Sequence, residues 1–159
     1  MLNLRLAWFA VLALGLAVVQ HGRLVLEPGA PDMPLALAAW GMVDGDEDGV
    51  VPRAWIAGFC VDLVDPGSVC FHLVGFTVLA LAFLPVRRLL FRTRGLAWAL
   101  WALVCTLVLA VADHRLAGLA VPWRACWTTA LMTAVAAIAI GGFFAWIPAE
   151  LRPVGKAGA

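Results

Sequence analysis

Apolar positions run almost unbroken over four stretches of the chain, about 4–20, 69–86, 95–112 and 125–146, and polar positions collect between them. Each run approaches or exceeds the roughly 18 residues that a helix needs to cross a hydrocarbon core of about 30 Å. The pattern predicts an all-α fold: a four-helix transmembrane bundle forming a single membrane domain over residues 1–159. The segment 21–67 is then an outer loop, long for a plain connection and so expected to be structured. Inside it, "LALAAWGMV" and "PRAWIAGFCVDLV" read as short amphipathic helices lying on the membrane face, joined by the acidic stretch "DGDEDG".

Composition agrees with this frame. Hydrophobic residues make up 64% of the 159-residue chain and charged residues 13%, with mean hydropathy +0.98; a soluble domain is nearer half apolar and a quarter charged. The first run, with Arg5 before "LAWFAVLALGLAVV", reads equally as a secretory signal. The following "QHGRLVLEPG" lacks a small-residue cleavage site, so a retained anchor is expected.

Lys and Arg accumulate on the cytoplasmic side of membrane proteins. The loop "RRLLFRTR" (87–94) and the tail "LRPVGKAGA" therefore face inward, placing both termini in the cytoplasm of a bacterial cell, under its inner membrane. Counted this way, seven of eleven basic residues lie inside and nine of ten acidic residues outside. Tryptophan favours the headgroup zone; Trp8, Trp98, Trp101 and Trp146 mark the inner belt, Trp123 and Trp127 the outer. The partners expected are lipid and other membrane-protein subunits, with no nucleic acid.

Ionisable groups within a span are expensive and usually functional, and the centres of the four runs contain none. That argues against a pump or a channel with a charged filter. The fourth run repeats small residues every four positions, at Thr129, Thr133, Ala137 and Gly141, a spacing that lets helix backbones approach closely, within this bundle or against a partner.

The acidic stretch matches much of an EF-hand loop. Asp44, Asp46 and Asp48 stand at the first three ligand positions, Gly49 at the turn, the Val50 carbonyl at the next position and apolar Val51 after it. Trp55 occupies the place of the bidentate Glu. Two readings follow: a weakened Ca2+ site, or a polar turn that separates two surface helices. His72 and His114 are expected near the outer interface together with His21, where imidazoles can hold a metal, haem or a chlorophyll-type pigment. No CxxC pair exists among the four cysteines, which argues against thiol–quinone chemistry. A structural Cys60–Cys70 bond is compatible with an oxidising compartment.

From the second run onward, "DPGSVCFHLVGFTVLALAF" and "VADHRLAGLAVPWRACWTTALMTAVAAIAIGG" resemble the VanZ-like family of small bacterial membrane proteins, associated with teicoplanin resistance. The resemblance covers about residues 65–142. It aligns His72, Asp113 and Arg124 with the family's polar positions and implies a role in the cell envelope. Thr129 and Thr133 stand where the family carries Asp and Asn, and the Gln after the acid is absent, so the resemblance implies a derived member without the polar centre. The expectation is a non-catalytic accessory or structural subunit of a larger membrane complex. The alternatives are a VanZ-like envelope enzyme or resistance factor, and a haem- or pigment-binding subunit.

Overall fold

A computed structural model describes residues 2–24, 29–65, 70–90 and 94–147. The tail carrying Arg152 and Lys156, and part of the basic loop 87–94, lie outside the described residues. The described residues form six α-helices: α1 (Leu2–Val19), continued by a π-helical turn Gln20–Leu24, α2 (Met33–Asp44), α3 (Val50–Val64), α4 (Phe71–Leu90), α5 (Arg94–Leu116) and α6 (Trp123–Ala145). Three helices are long and apolar enough to cross a membrane: Leu4–Gly22, Gly95–Leu116 and Trp123–Ala145. This fits a multi-pass membrane protein. The four expected spans are not reproduced as such, because the second corresponds to α4, whose apolar part, Phe71–Arg87, is shorter.

Each helix runs antiparallel to the one before it. Gln20 Oε1 at the end of α1 accepts from the Met33 N–H at the start of α2 (2.7 Å). Arg53 in the first turn of α3 reaches Asp46 just beyond α2. Asp62 near the end of α3 accepts from the first turn of α4. Phe83 late in α4 packs on Trp101 early in α5 (4.8 Å between ring centroids), and Trp98 early in α5 lies against Gly141 late in α6. One end of the bundle therefore holds the start of α1, the acidic turn, the end of α4 and the end of α6. The other holds Asp32, Asp62, His72 and the α5–α6 connection.

Of the two expected surface helices, α3 keeps an exposed face with Trp55, Phe59 and Leu63, but α2 is instead the centre of the molecule. All residues from Pro34 to Val43 in α2 are buried, and α2 contacts every other helix. Its composition explains how: Ala36, Ala38, Ala39 and Gly41 let neighbouring backbones approach, while Leu35, Leu37, Trp40 and Met42 fill the gaps between them. Trp40 stacks on Phe144 of α6 at 4.4 Å and 15°. Twelve residues of helix extend only about 18 Å, too short to span alone, so a search for long apolar runs passes over this segment. A helix sealed by others needs no such length.

A helix end inside apolar surroundings must find partners for its free N–H groups. Asp32 caps α2, its carboxylate accepting from the Leu35 N–H (3.0 Å), and its own N–H donates to Thr133 Oγ1 of α6 (2.8 Å). Thr133 is the eleventh of the 23 residues of α6. The start of α2 is thus level with mid-α6, and α6 continues about 15 Å past it.

The small-residue face of α6 is turned inward. Thr133 and Ala137 are fully buried, and a Cβ on Gly141 would meet the Trp98 ring, so this face packs within the bundle. The tryptophan belt also divides. Trp8, Trp123, Trp127 and Trp146 are exposed, whereas Trp98 and Trp101 are core residues, the latter with its indole N–H on Met42 Sδ (3.3 Å).

Candidate functional site

The acidic turn lies at the end of the bundle that carries Arg5 and Arg87, not opposite to them. The Arg87 guanidinium donates to the Gly45 carbonyl, and Arg5 is within electrostatic reach of Asp46. Among the described residues, Asp44, Asp46, Glu47, Asp48 and Arg53 thus lie at the Arg5 end. The charge asymmetry that the sequence suggested is correspondingly weaker.

The turn does not gather its carboxylates. Asp44 is the last residue of α2, Gly49 has the ordinary right-handed values φ −92°, ψ −7°, and Val50 opens α3. Among the described residues no three His, Cys, Asp or Glu side chains converge as a metal would require. The cation found in the turn is the chain's own. Arg53, with a side chain 1% exposed, lies under the turn, its Nη2 2.6 Å from Asp46 Oδ1 and its Nη1 donating to the Gly41 carbonyl at 3.3 Å. Gly41, Gly45 and Gly49, four residues apart, leave the space for it. A Cβ on Gly45 would overlap the guanidinium, and one on Gly49 would lie 2.5 Å from Nη2. Burial alone would raise the Asp46 pKa, but the hydrogen bond and charge of Arg53, with Arg5 adding to them, hold it below the usual 3.8. Trp55, at the place of the missing Glu, is exposed and stacks on Phe59 at 5.4 Å.

The opposite end is open. Two cavities, of about 200 and 230 Å³, meet at Asp32, Asp65 and His72. The first reaches Gln20 and His21 of the π-helical turn. The second reaches Thr106 and Asp113 of α5 and Thr129 of α6. The acids and histidines here come from five different segments, which is why no local motif announces them. Asp62 sits behind His72 and takes three hydrogen bonds: the N–H of His72 (3.1 Å), the N–H of Leu73 (2.9 Å) and His72 Nδ1 (3.0 Å). Gly58 makes this possible, since a Cβ there would lie 2.5 Å from the His72 carbonyl and hold α3 and α4 apart.

The sequence-predicted residues divide accordingly. His72 and Asp113 line one cavity. His114, one residue on, turns back to its own helix, with Nδ1 2.8 Å from the Ala110 carbonyl, so the structure does not pair it with His72. Arg124 borders a separate hollow with Pro122 and Thr128. Cys60 and Cys70 are both free thiols; Cys60 is buried beside the Ala10 carbonyl of α1 (3.9 Å), and Cys70 is exposed. Asp32 at the cavities and Arg53 under the turn are the residues that sequence reasoning missed. The signal for Arg53 was the glycine spacing at 41, 45 and 49; Asp32 carried the N-cap signature of an acid two residues before Pro34.

No family model, curated protein or solved structure matches the chain.

Proposed function

We propose that the protein is a non-catalytic, multi-pass subunit of a bacterial inner membrane, with an accessory or structural role in a larger membrane assembly. The observation that carries this reading is the fate of the best-formed acid–histidine pair. The Asp62 carboxylate is committed to the first turn of α4, where it takes two backbone N–H groups as well as the imidazole. A general base needs a free lone pair within reach of a proton on the substrate; Asp62 is instead acting as a helix cap. Arg53 is likewise absorbed by the fold. The outward faces of α1 and α6, bearing Leu4, Trp8, Val11, Leu131, Val135 and Phe143, are apolar and suit packing against other membrane helices as well as lipid. Under the positive-inside rule the Arg53 end faces the cytoplasm. Solubilisation in a mild detergent followed by native electrophoresis and cross-linking mass spectrometry tests the proposal. A defined complex with other membrane proteins is expected, and a lone monomer with no co-purifying partner overturns it.

A second reading, an envelope enzyme or resistance factor, is favoured by one observation: His72 and Asp113 line the same cavity. An Asp113→Ala strain with altered glycopeptide sensitivity or lipid composition supports it, and an unchanged phenotype sinks it.

A further inference from the structure

His72 is held from behind by a second ionisable group. Its Nδ1 lies 3.0 Å from Asp62 Oδ1, and the same oxygen accepts the His72 backbone N–H at 3.1 Å, while Oδ2 accepts the Leu73 N–H at 2.9 Å. One carboxylate thus ties the end of α3 to both the backbone and the side chain of the first turn of α4. The two helices are in close approach here, since a Cβ on Gly58 would lie 2.5 Å from the His72 carbonyl. Edge contacts with Phe71 (5.3 Å between ring centroids, 82°) and Phe76 (6.1 Å, 84°) hold the plane of the imidazole. His72 lines both cavities, so what Asp62 holds is part of the wall that they share.

An ionised carboxylate only accepts, so Nδ1 carries the hydrogen of this bond whether the imidazole is neutral or charged. The bond therefore survives loss of the ring's second proton, but its character changes. It joins two ions when the ring is charged and an ion to a dipole when the ring is neutral, and the first is the stronger. Histidine is the side chain whose charge changes between pH 5 and 8. The His72 side chain is 21% exposed and that of Asp62 10%, open enough for proton exchange through the cavities and closed enough that solvent does not screen the pair away. The other titratable groups around the ring are His21 of the π-helical turn, Asp32 ahead of α2, Asp65 after α3 and Asp113 of α5; α6 contributes Thr129, and Cys70 stands two residues before His72. Asp32 is also within electrostatic reach of His72. It caps α2 through the Leu35 N–H, so a change in its own charge is felt at α2.

We propose that Asp62 and His72 form a pH-sensitive latch between α3 and α4, tight when the imidazole is charged and looser when it is neutral. The latch is independent of whether the protein works as a subunit, and its test does not involve a protein partner.

The test is hydrogen exchange on the purified full chain in detergent, read by mass spectrometry from about pH 5 to 8, with rates corrected for the pH dependence of intrinsic exchange. Protection of the first turn of α4, where Asp62 accepts the His72 and Leu73 N–H groups, is expected to fall roughly fivefold over that range as the ion pair becomes a simple hydrogen bond. The middle of α6 should not change. His72→Asn places an amide N–H where Nδ1 stands and carries no titratable group, so it keeps the turn protected and abolishes the response. Asp62→Asn takes the ionic partner from the imidazole, and it lowers protection across the range and abolishes the response as well. Protection of this turn that is independent of pH in the wild type overturns the inference, as does a response that persists in His72→Asn. A response of equal size throughout the bundle also overturns it, because it would report unfolding of the whole molecule.

Discussion

At the Arg53 end, a guanidinium only 1% exposed is surrounded by three glycines, two backbone segments and one carboxylate. At the His72 end, Asp32, Asp65 and Asp113 face two cavities together with His21 and His72. Both ends bring ionisable groups into a bundle that is otherwise hydrocarbon, but the first packs them against one another and against backbone, and the second sets them around open space. A buried ion is tolerable only when paired and hydrogen-bonded. The closed end therefore reads as architecture, and the open end has room for a ligand. Substitutions at the closed end are expected to change stability, and those at the open end to change binding.

The largest effect is expected from Gly45→Ala. Its methyl group would overlap Arg53 and lie 2.5 Å from the Gly41 carbonyl. Neither can move without breaking the turn, and overpacking combined with a disturbed buried ion costs about 3 kcal/mol. Unfolding in detergent should show it as a large drop in midpoint. Gly22→Ala, where a Cβ meets nothing within 4 Å, serves as the contrast and should change little.

Asp46→Ala comes next. Removing one partner of a buried pair costs about 3–5 kcal/mol, but Asp46 is 40% exposed and water can reach the pair, so about 2 kcal/mol is the expected loss after screening. Asp48→Ala, at an exposed position beside it, should stay within about 0.5 kcal/mol. The same pair sets an acid limit. Because the folded pKa of Asp46 lies below its ordinary 3.8, its contribution is fully present above that value and is lost as pH falls through the lower folded pKa. Wild-type protein should lose stability relative to Asp46→Ala only in that acid window, and a difference independent of pH down to 2 would refute the ion pair's role.

Much of this comparison was hidden from the sequence for physical reasons. The helices long and apolar enough to cross a membrane were legible: α1, α5 and α6 lie within a few residues of the expected 4–20, 95–112 and 125–146, because crossing hydrocarbon demands long apolar runs. The inserted α2 was not, since its surroundings are protein and twelve residues suffice. "DGDEDG" follows the spacing of a calcium loop, and spacing alone does not reveal that an arginine seven residues on pairs with its Asp46. The cleft was legible only as scattered letters: Asp32, Asp65, His72 and Asp113 meet through helix packing, with no shared motif.

Asp62→Ala should have an intermediate effect, because it stands between the two ends in kind as well as in size. It removes a cap that satisfies two N–H groups at the start of α4 and fixes His72. Loss of a cap costs about 1 kcal/mol, with charged acceptors at the upper end of the range. Asp62→Asn should recover part of this by keeping one oxygen acceptor. Hydrogen exchange should show the loosening at the first turn of α4, leaving α2 protected.

The smallest change in stability is expected at Asp113, and that makes it the most informative position. It is exposed, lies in the last turn of α5, and lines the cleft. Asp113→Asn preserves its volume and removes only the charge, so the unfolding midpoint in detergent should shift by less than about 0.5 kcal/mol. If the His72 end is a binding end, the same substitution must nevertheless change what remains bound to the purified protein. If it is another piece of architecture, the midpoint should fall with no change in what is bound, as it should for Asp46 at the far end. A double measurement on Asp113→Asn and Asp46→Ala therefore separates the two ends directly. Stability lost without a change in bound molecules at Asp46, and bound molecules lost without a change in stability at Asp113, is the expected outcome.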